Sequence, residues 1–124
     1  MRFLPTRVHG VIDYLWGAAL IATPWLFGFA DGGSAQWTAW LFGAGAILYS
    51  LATDYELGAV RLFPMPMHLA FDAVAGALLA ASPWLFGFAD RVVGPHLAFG
   101  LFSVAASLTT HTRPSTNFHG TSRP

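Results

Sequence analysis

The octapeptide Pro24-Trp25-Leu26-Phe27-Gly28-Phe29-Ala30-Asp31 returns letter for letter as Pro83-Trp84-Leu85-Phe86-Gly87-Phe88-Ala89-Asp90, at an offset of 59 residues. The same offset pairs Arg2 with Arg61, Pro5 with Pro64, His9 with His68, Asp13 with Asp72 and Gly17 with Gly76. Of the 23 positions from His9 to Asp31, 14 recur unchanged. A chain of 124 residues with that much self-identity is two copies of one unit, and its fold must be built twice from the same local rules. Both copies run in the same direction, which predicts parallel repeats related by an axis along the membrane normal if the chain spans a bilayer.

The membrane expectation comes from where the charges lie. Residues 14–30, 32–53, 73–89 and 92–112 contain no Asp, Glu, Lys or Arg. These runs hold 17, 22, 17 and 21 residues, close to the roughly 20 that carry a helix across a bilayer core. Charged residues are 10% of the chain and hydrophobic ones 55%, too little polar surface for a soluble helical bundle. Net charge is zero, which offers nothing to nucleic acid. There is no cysteine, so disulfides and thiol chemistry are excluded, and a metal site would need His and carboxylate ligands. Arg2 and Arg7 before an apolar stretch resemble a signal peptide. The internal recurrence of that segment, from Arg61 to Asp90, argues that it is retained as structure.

Thr23-Pro24-Trp25 and Ser82-Pro83-Trp84, each inside an apolar hairpin, resemble the signature of the SPW repeat family of small bacterial and archaeal membrane proteins. The resemblance extends over nearly everything but the last dozen residues, and Thr for Ser in the first copy keeps the hydroxyl. It implies an integral membrane protein and brings no catalytic residues with it.

The expected fold is all-α: four transmembrane helices arranged as two tandem, parallel-repeat hairpins. A single membrane domain covers 1–111, with repeat one at about 2–53 and repeat two at about 61–111. Residues 112–124 read as a polar, disordered tail. Helices are predicted from about Arg7 to Ala22, Ala35 to Thr53, Met67 to Ala81 and Pro95 to Thr110. Pro24 and Pro83 each allow two outcomes, a kinked helix that continues or a stop with Thr23 or Ser82 capping a new turn. The repeat motif (Thr23, Pro24, Trp25, Gly28 and Asp31; Ser82, Pro83, Trp84, Gly87 and Asp90) reads as a helix end and interface anchor. Trp25, Phe27 and Phe29 are expected at headgroup depth. Asp31 and Asp90 are placed to close the hairpin turns. Ala39, Gly43, Gly45 and Ala46 form a small-residue face suited to close packing or a homo-oligomer. Arg2, Arg7, Arg61, Arg113 and Arg123 fall on one side of the four-helix arrangement and Arg91 on the other. That bias puts both termini in the cytoplasm, in the inner membrane.

Two pairs carry what chemistry the sequence offers. His9 with Asp13, and His68 with Asp72, are each four residues apart and so share a helix face. That face continues through Gly17, Leu20 and Pro24, and through Gly76, Leu79 and Pro83, a stripe expected to be the seam between helices one and three. The first reading is structural, with the pairs satisfying each other inside a scaffolding protein. The second is a small ion or proton pathway, or a divalent-metal site, on His9, Asp13, His68 and Asp72. His96, His111 and His119 are scattered and read as surface histidines. No catalytic or phosphate-binding motif is present, so neither enzymatic activity nor a cofactor is expected, and the lipid bilayer is the expected partner.

Overall fold

The computed structural model describes residues 2–112. The expected tail beyond residue 112, with Arg113, His119 and Arg123, lies outside them. Four helices carry the chain: α1 (Thr6–Leu26), α2 (Ser34–Leu51), α3 (Met65–Leu85) and α4 (Gly94–Thr109). Two very short strands, β1 (Thr53–Asp54) and β2 (Phe63–Pro64), lie between α2 and α3. The helices dominate, as expected. Among the described residues one of them, Met65–Leu85, is long and apolar enough to cross a membrane by length and composition. α1 carries Arg7, His9 and Asp13 in its first half, and α4 has only 16 residues.

α1 and α3 run past Pro24 and Pro83, to Leu26 and Leu85, so each motif continues its helix instead of stopping it. The reason is local. Pro24 has no N–H to give the carbonyl four residues back, Leu20 O. The Thr23 hydroxyl donates to that same carbonyl at 2.6 Å. In the second copy Ser82 Oγ donates to Leu79 O, also at 2.6 Å, in place of the N–H that Pro83 lacks. The hydroxyl before each proline therefore repairs the helix that the proline would open. Neither residue is a helix cap.

The rest of the octapeptide is a helix terminator. Gly28 and Gly87 have φ of +77° and +76°, the left-handed conformation that follows a helix end. Phe29 N–H donates back to Pro24 O, and Phe88 N–H to Pro83 O, each at 2.8 Å. These six-to-one bonds are Schellman closures, with the phenylalanine after the glycine turned inward. Phe29 and Phe88 are accordingly buried in the core with Leu20, Ala35, Ala39 and Leu79. Phe29 and Phe88 therefore face the core, while Trp25, Phe27, Trp84 and Phe86 are exposed. Asp31 accepts from Gly33 N–H at 3.0 Å and forms an ion pair with Arg91, so it closes its turn and ties the two hairpin tips.

α1 packs chiefly on α2, and α3 chiefly on α4. Glycines set the approach: a Cβ on Gly17 would sit 2.9 Å from Gly43 O, and one on Gly76 would sit 2.7 Å from Gly100 O. The His-Asp-Gly stripe is therefore not one seam between α1 and α3, since its glycine part faces the partner helix within each pair. These contacts also reveal a register change. Gly43 corresponds to Gly100 and Thr53 to Thr110, so the offset falls from 59 to 57 after the first helix of each copy. The paired glycines of the second copy, Gly76 and Gly100, are therefore two positions closer in sequence than Gly17 and Gly43.

The chain ends are exchanged between copies. Phe3 and Leu4 donate to Thr109 O, both at 2.8 Å, and Leu62 and Phe63 donate to Ala52 O at 2.9 and 3.0 Å. Leu4 bridges Thr110 and Phe63 pairs with Thr53, both parallel. Each copy's lead segment is thus held by the last turn of the other copy. The linker is not a bare connector either. Tyr55 and Leu57 fold back over α1, where Tyr14 Oη donates to Leu57 O at 2.7 Å.

Candidate functional site

The crossing of the two leads brings the two His–Asp pairs together. His9 Nε2 lies 3.0 Å from Asp13 Oδ1 and 2.9 Å from Asp72 Oδ2. His68 Nε2 lies 3.1 Å from Asp13 Oδ2 and 3.1 Å from Asp72 Oδ2. Imidazoles and carboxylates alternate around a closed ring of four, within each helix and across the two. One ligand atom from each residue falls within 4.8 Å of all the others. His9, Asp13 and His68 are buried and Asp72 is half-buried, so α1 and α3 contribute equally to a site shielded from solvent. The two imidazoles meet edge to face with centroids 5.5 Å apart, and Tyr49 stacks on His68 at 4.9 Å.

Three residues outside the expected set complete the site. His9 Nδ1 lies 2.7 Å from Thr110 Oγ1, and His68 Nδ1 lies 2.7 Å from Thr53 Oγ1. Each threonine hydroxyl already spends its single proton on a carbonyl one turn back, Thr110 on Ala106 O at 2.6 Å and Thr53 on Tyr49 O at 2.7 Å. Hydrogen-bond accounting therefore assigns the proton to Nδ1 on both rings, with the threonine oxygens accepting. Both bonds cross from one copy to the other. The third residue is Tyr55, whose hydroxyl donates to Asp13 Oδ2 at 2.9 Å. Burial, and then the adjacent Asp13 carboxylate, push this phenol well above its ordinary range, so it stays protonated and acts only as a donor.

With Nδ1–H fixed, both Nε2 atoms face a pair of carboxylates. Bare lone pairs would repel there, so positive charge must lie at the centre, either as protons on Nε2 or as a cation bound by all four residues. His9 Nε2 is aligned with Asp72 as a hydrogen bond. His68 Nε2 is not: it is buried, and none of its neighbours is aligned to pair with it.

The family model of the SPW repeat domain matches residues 7–110. The chain belongs to the SPW repeat family. No curated protein and no solved structure matches it. In this member the SPW tripeptide has a defined task, the hydroxyl-for-amide exchange at proline described above, and it lies at the opposite end of α1 and α3 from the His–Asp ring.

His96 is not a surface residue. It is fully buried, packs on Phe29 and Phe88 with centroids 5.3 and 4.7 Å away, and donates through Nε2 to Ala35 O at 3.0 Å. It staples the start of α4 to the start of α2. His111 is exposed, as expected, and its backbone N–H holds Leu4 O at 2.8 Å. A signal for the missed threonines exists in the sequence, because both stand just past the second helix of their copy. The offset of 59 hides it, pairing Thr53 with Thr112 instead of Thr110.

Proposed function

We propose that the protein is an integral membrane protein that holds a divalent transition-metal ion between its two repeats. One observation carries the metal site: His68 Nε2, sealed from solvent, lies 3.1 Å from both aspartates and is aligned with neither. A proton on that nitrogen falls between two carboxylates and is squarely aligned with neither, whereas an ion at the centre of the ring is met by all four groups. A tetrahedral ion with bonds near 2.0–2.1 Å separates its ligand atoms by about 3.4 Å. The four His–Asp contacts of 2.9–3.1 Å would open by a few tenths to receive it, and the two remaining separations, all within 4.8 Å, would draw in toward the same value. The Nδ1–H to threonine bonds are the outer partners that ligating histidines use to fix tautomer and ring orientation. Two neutral imidazoles and two carboxylates suit Zn²⁺, Mn²⁺ or Co²⁺, and are too few and too nitrogen-rich for Ca²⁺ or Mg²⁺. The loaded site is electrically neutral, which a membrane interior favours.

The membrane half of the reading is supported by an inverted distribution of polarity. Among the described residues the buried set includes 13 polar or charged side chains against 11 hydrophobic ones, while 23 large hydrophobic side chains are exposed. Lipid would cover those, with four spans, two parallel repeats and both termini on the cytoplasmic side. No catalytic step belongs to this reading.

Protein purified in detergent and stripped with EDTA tests it. Zn²⁺ should raise the melting temperature, by an amount equivalent to about 2.7 kcal/mol at a hundredfold excess over the dissociation constant. Co²⁺ should give the intense visible bands of a four-coordinate site. Both effects should vanish in Asp13→Asn/Asp72→Asn. If the metals do nothing and the double variant is as stable as the parent, the ring is a hydrogen-bonded clasp and the protein a scaffold. The aligned His9–Asp72 bond favours that second reading. Vesicle flotation and reporter fusions at the two termini test the membrane placement separately.

A further inference from the structure

The two helix pairs do not close on each other along their whole length. Between them lies a cavity of about 380 Å³ to which all four helices contribute. Its walls are mostly apolar, and its lining runs from the buried His9 and Asp13 out to the exposed Leu41, Phe71 and Phe102. In a bilayer those three side chains face hydrocarbon, so the cavity communicates with lipid.

One polar group on its wall is left without a partner. Trp16 Nε1 donates to Phe99 O at 3.1 Å, and Ser103 Oγ to Asp72 O at 3.0 Å. The Tyr49 hydroxyl is closed off from the cavity. His9 is held at both ring nitrogens, by Thr110 and by Asp72. Asp13 meets His9 with Oδ1, and His68 and Tyr55 with Oδ2. Asp72 meets both imidazoles with Oδ2 alone, so its Oδ1 accepts no hydrogen bond among the described residues. That atom is not sealed, for the Asp72 side chain is 17% exposed and lines the cavity. The asymmetry is written in the sequence. Tyr55 has no counterpart in the second copy, where offsets of 57 and 59 lead to Thr112 and Pro114.

We propose that this cavity binds a long-chain alcohol, a neutral hydroxyl head on a hydrocarbon tail, taken up sideways from the membrane. An unmet carboxylate oxygen selects a hydrogen-bond donor. The donors lining the cavity are spent or closed off, so ketone, ester and ether heads find nothing there to pair with. Charge then selects among donors. The ring is neutral with two protons on its Nε2 atoms or with one divalent ion, so an ammonium head would bring an uncompensated charge into an apolar enclosure. A hydroxyl brings none, and its bond to a carboxylate is of the strong, charge-assisted kind. The tail takes the space beside Gly45, where an added side chain would meet nothing within 4 Å.

The alcohol site rests on the membrane reading and is independent of the bound ion. Full-length protein in nanodiscs, freed of metal with EDTA, is titrated with a decyl alcohol brominated at the end of its tail, and contact quenching of tryptophan is followed. Trp16 is the one tryptophan lining the cavity, so quenching should saturate in the parent and lose its saturable part in Trp16→Phe. Gly45→Phe and, as a second filling variant, Ala46→Phe should lose it too. Unbrominated decanol should displace the probe. Decyl methyl ether should need about tenfold more, the worth of one hydrogen bond to a charged group, and decylammonium should do no better than the ether. In Asp72→Asn the protonated imidazoles claim the amide oxygen and leave an NH₂ toward the cavity, so the ether should then displace as well as the alcohol. Quenching that never saturates, or that is unchanged in folded filling variants, would mean partition into lipid and would overturn the proposal. So would equal displacement by alcohol and ether in the parent, stronger displacement by decylammonium, or an alcohol preference that survives Asp72→Asn. Failure of Zn²⁺ binding leaves this titration unaffected, and a chain that does not float with vesicles fails the membrane reading before any alcohol is added.

Discussion

Ser82→Ala tests the account of the SPW motif at its root. Ser82 is fully buried, and its hydroxyl gives Leu79 O the hydrogen bond that Pro83 cannot. Removing it leaves one buried backbone carbonyl short of a donor, which costs about 1–3 kcal/mol. The decisive measurement is the same substitution in a Pro83→Ala background, where a backbone N–H returns to that carbonyl. There Ser82→Ala should cost no more than about 0.5 kcal/mol, because the carbonyl keeps its amide partner. The cycle should therefore show a coupling of about 1–2 kcal/mol between neighbouring residues. Thr23→Val against Pro24→Ala should repeat the result in the first copy, since Thr23 makes the matching bond to Leu20 O at 2.6 Å. Equilibrium unfolding in mixed micelles, followed by tryptophan fluorescence, gives all four corners. If Ser82→Ala costs the same with proline and with alanine at position 83, the hydroxyl is not compensating for proline, and the explanation of the motif is wrong.

Glycine packing gives a second contrast. A Cβ at Gly100 would lie 2.4 Å from both Ala80 N and Gly76 O, so Gly100→Ala should destabilise by about 1–3 kcal/mol or more. Gly45→Ala meets nothing within 4 Å and should stabilise by up to about 1 kcal/mol; thermal melts of the two variants check the order. At Gly28, with φ of +77°, replacement by Ala should cost about 1–2 kcal/mol and by Asn less, and equal penalties in micelle unfolding would count against the Schellman closure. Tyr55→Phe removes the donor to Asp13 and should lower Zn²⁺ affinity roughly 10- to 100-fold by calorimetry, while Tyr14→Phe, whose hydroxyl serves Leu57 O, should leave it unchanged.

Much of this protein is written locally. The duplication, the helical class, the pairing of His9 with Asp13 and of His68 with Asp72 on one helix face, and the turn chemistry of Asp31 depend on residues within a turn or two of each other. Such spacings are legible wherever the chain is read. Even the proline motif is legible in part: the sequence places a hydroxyl before each proline, and only the continuing helix shows that it replaces an amide. From the sequence the two His–Asp pairs converge only if helices one and three meet along their shared stripe. The glycine half of that stripe turned out to serve α2 and α4 instead.

What tertiary structure decided lies across the repeat boundary. Thr53 and Thr110 became partners of His68 and His9 because each copy's lead is held by the other copy's last turn, contacts that span 15 and 101 residues. Tyr55 reached Asp13, 42 residues away, because the linker folds over α1. His96 and Phe29 were drawn inward by the Schellman closures, which turn the phenylalanines toward the axis and leave the imidazole between two rings. Local hydrogen-bond rules repeat with the sequence, so they appear twice and can be read twice. A site at the junction of two copies exists only once, and its members are chosen by how the chain closes on itself.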